Sequence, residues 1–213
     1  MWAIKRFKLF AVTFVPFGLL AWSARAADPA WGCASNLPPL RVEVRHEGGP
    51  GLLAAYRAYV KAGTNKFAFQ MPTGFRLDKA DPQSVTLVSE DYNCVLTWRI
   101  LGPVPPGSAE LPAALRELLL QRHPRGQIVQ EFTMPALSQH GPAFDLRWNA
   151  NGGMPRCERA AFMQSLAGIL EFSLVASPEK FKAARPDYDL LLISFRASDA
   201  KGKLVVPILS DKL

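Results

Sequence analysis

The side chains of this 213-residue chain best suited to chemistry are three histidines, three cysteines and a scatter of carboxylates. His140 stands in Ser138-Gln139-His140-Gly141, with Asp145 five residues on. Serine, histidine and aspartate are the groups of a hydrolytic triad, but a triad is defined by spatial roles, and these three lie on one short hairpin. His46 beside Glu47 supplies a base and a carboxylate, yet neighbours in a strand point to opposite faces. His123 follows a Leu-rich segment, where an imidazolium complements a helix C-terminus, so it reads as a cap.

The longer catalytic signatures do not occur. There is no Gly-x-Ser-x-Gly elbow, no His-Glu-x-x-His, no phosphate-binding lysine loop and no Gly-x-Gly-x-x-Gly. Gly48-Gly49-Pro50-Gly51 lacks a lysine and contains a proline, so it is a turn. No catalytic residue, cofactor or metal ligand is expected from this pattern.

The first 26 residues carry an address. Lys5, Arg6 and Lys8 precede an uncharged stretch over 9–22, and Ser23-Ala24-Arg25-Ala26 closes it with small residues at alternate positions. Basic, then apolar, then small-x-small is the order of a secretory leader, with cleavage expected between Ala26 and Ala27. The apolar run is short for a membrane span, and Pro16 and Gly18 interrupt it. Gly32-Cys33 resembles the end of a lipobox, but Trp31 and Ala30 fit that box poorly. Four of the 25 Lys and Arg fall in the leader, which has no acid, leaving 21 against 18 and a net +3. So small an excess gives no reason to expect nucleic acid as partner. No later stretch reaches spanning length, so no integral membrane segment remains after cleavage.

Export bears on the cysteines. No C-x-x-C is present, so neither a redox pair nor a zinc knuckle is indicated. Cys94 shares strand parity with Leu96 and Trp98 and should be a buried thiol. Cys33 lies in a Pro- and Gly-rich arm and Cys157 follows the Gly152-Gly153-Met154-Pro155 turn, so both are expected to be exposed. Exposed thiols outside the cytoplasm tend to pair, which makes Cys33–Cys157 the candidate disulfide. The competing bridges use Cys94, at a strand end after the turn at 91–93.

Stepping outward, residues 27–65 form an N-terminal arm with a short alternating strand over 40–45 and an Ala- and Leu-rich segment over 52–61 expected to be helical. Residues 66–213 form the main domain and its tail. In it, Phe67, Phe69 and Met71 share a face, as do Cys94, Leu96, Trp98 and Ile100. Leu111, Leu115, Leu118 and Leu119 recur at helical spacing. Further strands place Ile128, Phe132 and Met134 on one face, then Phe144, Leu146 and Trp148 with Asp145 and Arg147 opposite. A strand is expected over 158–164, and Leu170, Phe172 and Leu174 follow with Glu171 and Ser173 opposite. Ser177-Pro178-Glu179 opens a helix that Pro186 is expected to interrupt, with a resumption at Tyr188, Leu191, Leu192 and Phe195. Trp98, Phe132, Phe144, Trp148 and Phe172 sit at core parity, as packing residues and not as a stacking platform. The tail from Lys201 reads as an edge segment. The fold class is α+β, an antiparallel sheet flanked by helices.

Two segments carry a resemblance. Lys66-Phe67-Ala68-Phe69-Gln70-Met71-Pro72-Thr73-Gly74-Phe75 resembles the opening strand and turn of PsbP-like domains. The run from Ile169 through Ser177-Pro178-Glu179-Lys180-Phe181 to Leu192-Ile193-Ser194-Phe195 resembles their closing strand and last helix. The resemblance spans about residues 66–197 and implies an α/β/α sandwich. It also implies a binding role: that family contains a lumenal subunit of photosystem II, a Ran-binding import factor, and bacterial secretion chaperones and lipoproteins. Its motifs are structural, so no functional residue transfers.

The expectation is an exported, non-catalytic envelope protein, located in the periplasm or outside the cell, that binds another envelope protein. The alternatives are a secreted hydrolase or a small-ligand carrier whose site is assembled from distant residues.

Overall fold

The computed structural model describes residues 39–48, 55–81, 83–102, 111–136, 139–150, 152–165 and 167–198. The leader, Ala26 and Ala27, Cys33, Ser138 and the tail from Lys201 lie outside them.

Two antiparallel sheets account for the strands. The smaller has the order β1-β2-β3-β11, formed by β1 (Arg41–Glu47), β2 (Ala55–Ala62), β3 (Asn65–Gln70) and β11 (Arg196–Ser198). The larger has seven strands: β4 (Phe75–Asp81), β5 (Ser84–Ser89), β6 (Cys94–Ile100), β7 (Gln127–Ala136), β8 (Gln139–Asn149), β9 (Pro155–Ser165) and β10 (Gly168–Ala176). Their order is β4-β5-β6-β10-β9-β8-β7. Helix α1 (Leu111–Arg122) covers one face of this sheet through Leu115, Leu118 and Leu119. Helix α2 (Pro178–Ser194) and the small sheet cover the other. The α+β class is therefore as expected.

The main core lies between the sheets. Phe195, at the end of α2, meets Phe172 at 4.8 Å, Trp98 at 5.4 Å and Phe67 at 5.8 Å, and stacks on Phe69 at 6.0 Å. Ring pairs at such separations add to the stabilisation that burial alone supplies. Trp98 is buried on the same face as Cys94, Leu96 and Ile100, as strand parity predicts. Ser194 ties the helix end to the small sheet, its Oγ accepting from the Gln70 N–H at 2.9 Å.

The structure corrects three of the expected elements. The segment expected as a helix over 52–61 is strand β2 in its described part. Ala58, Val60 and Ala62 are buried and alternate with Arg57, Tyr59 and Lys61, a period of two that pairs with β1 on one side and β3 on the other. Ladder bonds and the covered face override the helix propensity of Ala and Lys, which is worth only tenths of a kcal/mol per residue. Helix α2 runs unbroken through Pro186, because its buried face of Phe181, Ala184, Tyr188, Leu191 and Leu192 continues on both sides of the exposed proline. That burial outweighs a cost of about 3 kcal/mol for an internal proline. Ile128 does not share a face with Phe132 and Met134. A register shift between Ile128 and Gln130 turns it toward α1, while the other two face the main core. One extra residue in a strand reverses the parity of everything before it.

Candidate functional site

Polar residues at strand positions expected to face outward are buried here, because β9 and β10 are covered on both faces. Each then needs a partner, since an unpaired buried charge is prohibitively costly. On the α2 side Asp145 of β8 stands opposite Arg159 of β9 and accepts two hydrogen bonds from it, at 2.7 and 2.8 Å. Arg185 of α2 adds a third at 3.3 Å. The Arg159 guanidinium also lies over the Phe132 ring, 4.7 Å from its centre.

A second cluster occupies the α1 side. Glu171 is fully buried and contacts Arg122 at 2.6 Å and Arg99 at 3.5 Å. Burial alone pushes its carboxyl toward the neutral form, but the two guanidinium groups more than offset this and hold it below its usual range. Beside it, Glu158 meets His123 Nε2 at 2.9 Å, and the imidazole stacks on Trp148 at 4.3 Å. The His123 N–H donates to the Leu119 carbonyl, so the residue does sit at the helix end, as the sequence predicts. A carboxylate held ionised by arginines is a poor proton acceptor, and Glu171 is in that position. The two clusters fasten the helices to the sheet.

The local triad reading is not assembled. His140 and Asp145 are five residues apart on one strand and so point to opposite faces, and His140 is exposed while Asp145 is buried against Arg159. His46 and Glu47 likewise diverge: His46 lies against Tyr56 at 5.0 Å, and Glu47 meets Arg57 at 3.4 Å and accepts from the Tyr59 hydroxyl. Among the described residues no three His, Cys, Asp or Glu side chains converge as a metal site.

Cys94 is a buried free thiol, and burial pushes its pKa up. Cys157 is buried too, which corrects its expected exposure. It follows the turn, as expected, but lies inside β9 on the face that the main core covers. Both cysteines pair in register with Ala176 of β10, one from each side. They are thus two strands apart in one row, roughly 9–10 Å between Cα atoms, beyond the roughly 7 Å limit for a disulfide.

One accessible feature among the described residues is the β1–β2 blade. β1 is the outer strand of the small sheet, and both of its faces carry exposed side chains. Its inner face begins in the core with Val42 and then leaves it, so that Val44 and Tyr56 are 38% and 58% exposed with His46 between them. Its outer face alternates Arg41, Glu43, Arg45 and Glu47, with a bidentate Arg45–Glu43 pair at 2.9 Å. Arg45 also lies over the Tyr59 ring at 5.0 Å. Sequence reasoning missed this surface. Its signal was the alternation of charges on one parity against Val44, His46 and Tyr56 on the other, without a second layer to cover them.

No family model and no curated protein matches the chain. Among solved structures it is similar to cyanobacterial PsbP from Synechocystis sp. PCC 6803, at 10% identity over 72% of this chain and 91% of that one, with a TM-score of 0.41. It is similar to LpqN, involved in cell envelope biogenesis of Mycobacterium tuberculosis, at 13% identity over 75% and 91%, with a TM-score of 0.39. A mutant of the protein Mog1 matches at 12% identity over 76% and 98%, with a TM-score of 0.45. These are loose likenesses of chain arrangement, and no binding residue is carried across from them.

Proposed function

We propose that this chain is an exported envelope protein that acts by binding a partner protein, with the β1–β2 blade as its contact surface. The observation that carries this reading is the contrast between body and blade. In the body Asp145 and Glu171 are each already engaged by arginines and Glu158 meets His123, whereas β1 ends its sheet with both faces accessible. An outer strand offers a row of backbone donors and acceptors, and alternate side chains beside it set specificity. The leader-like first 26 residues support export. The envelope role of a structural neighbour such as LpqN is compatible with it.

The test is site-specific photo-crosslinking in cells expressing the full chain. A photoreactive residue at Tyr56 or Val44 should give a discrete adduct with a protein of the envelope fraction, while one at exposed Lys182 on α2 should not. Equal labelling at all three positions, or none, would remove the blade from the proposal. N-terminal sequencing of the exported product should start at Ala27; a retained Met1 would remove export.

A further inference from the structure

The outer face of β1 is its own complement. In an antiparallel pairing of two β1 strands about a two-fold axis through Val44, residue numbers facing one another add up to a constant. Arg41 then meets the partner's Glu47, and Glu43 meets the partner's Arg45, so that each cation on this face falls opposite an anion. On the other face Val44 meets the partner's Val44 and Val42 meets the partner's His46, with Tyr56 at each flank. Shifting the register by one residue, which moves the axis to the midpoint between Val44 and Arg45, puts Val44 opposite the partner's Arg45 and loses both patterns. Among registers of matched parity only this one sets both Arg41 opposite Glu47 and Glu43 opposite Arg45, so charge and apolar parity favour it.

We infer that β1 is a homodimerisation edge: two copies of this chain pair through it, antiparallel about Val44, joining two four-stranded sheets into one of eight strands. The inference rests on the reading of the blade as a binding surface and names its first occupant. The side chains of Arg45 and Glu43 are 58% and 62% accessible and so available, while Glu47, 40% accessible, would share its carboxylate with Arg57 and the Tyr59 hydroxyl. Their intrachain pair is no obstacle, because an exposed ion pair contributes little and re-pairs across the axis at small cost. An isologous contact of this kind is closed, which protects an open strand edge from further, unlimited pairing. The area is small, so the dimer should be concentration-dependent and should weaken with salt.

The experiment is sedimentation of the exported chain across the micromolar range, with four variants. The unsubstituted chain should pass from monomer to dimer. R45E sets like charges opposite one another twice in each dimer and should weaken association by about tenfold or more. The charge-swapped double variant E43R/R45E restores opposite charges in this register and should recover most of that loss, which a merely damaged strand would not. V44K places two ammonium groups on the axis and should abolish the dimer. V44C should yield an interchain disulfide between the two substituted positions, because directly opposed residues lie about 4.5–5.5 Å apart. A monomer at every concentration, or R45E and E43R/R45E behaving alike, overturns the inference. A foreign envelope protein cross-linked at Tyr56 by a chain that stays monomeric would sink this pairing and leave the proposed function standing.

Discussion

Glu171 shows what a single residue does in this fold. It has no solvent contact, and its charge is balanced by Arg122 from α1 and Arg99 from the neighbouring strand. Replacing it with glutamine leaves two guanidinium groups facing a neutral amide, and such a loss costs on the order of 3–5 kcal/mol. The same residue sets an acid limb. Its folded-state pKa lies below the ordinary value of 4.5, so the unfolded chain binds the proton more readily. Its stabilising contribution is complete above that value and is lost as pH falls through the folded pKa. Chemical denaturation of the Glu171→Gln variant should therefore show a lower midpoint at neutral pH and a flatter decline toward acid. An acid limb as steep as that of the original chain would show that other carboxylates set it. Strand parity placed Glu171 opposite Leu170 and Phe172 but gave no sign that this second face was also covered. The arginines that reach it are 49 and 72 positions away in sequence, and no local pattern links them.

At the scale of elements, what could be read depended on whether local periodicity decided the outcome. β6 and β10 carry strict alternation, and their registers follow it, with Trp98 opposite Phe172. β2 was misread because its alanines and lysine suit a helix, and the strands that capture it lie on either side. The bulge in β7 was invisible because neither flanking residue marks it. Alternation over 40–45 marks a strand, which the structure extends to Glu47 as β1, but alternation alone does not show that the strand ends its sheet. Close approach between strands gives another element-scale expectation. Gly141 of β8 has no room for a side chain, since an added Cβ would overlap the Phe162 carbonyl oxygen and press on Met163 Sδ at 2.8 Å. Backbone atoms of a central sheet cannot yield cheaply, so Gly141→Ala should destabilise by about 1–3 kcal/mol, as overpacking does. A thermal unfolding midpoint unchanged by the substitution would mean that β8 and β9 are spaced more widely than described.

For the whole molecule the decisive fact is how sequence-distant pieces close one sheet. β1 and β2 come from the start of the described chain and β11 from its end, and β3 joins them in the middle. Ala58, Val60 and Ala62 of β2 belong to the same buried cluster as Trp98, Phe172 and Phe195. The sheet thus runs without a break across the junction between residues 65 and 66, where the strand pattern and the PsbP-like resemblance begin and an arm is expected to give way to a domain. A chain cut to begin at Lys66 would leave Phe67 and Phe69 under a missing neighbour and open the ladder of β3 on that side. Burial of three such residues and six paired positions contributes several kcal/mol, a large share of the 5–15 kcal/mol that keeps a domain folded. The truncated chain should lose the cooperative transition expected by circular dichroism for the chain that begins at Ala27, with tryptophan emission shifted to the red as Trp98 meets water. The comparison variant begins at Pro39 and keeps β1 and β2, and it should unfold as cooperatively as the chain that begins at Ala27. Equal stability of the Lys66 and Pro39 variants would make β1 and β2 an appendage after all. The blade would then be a loosely held hairpin instead of a firm edge on which a second chain can pair.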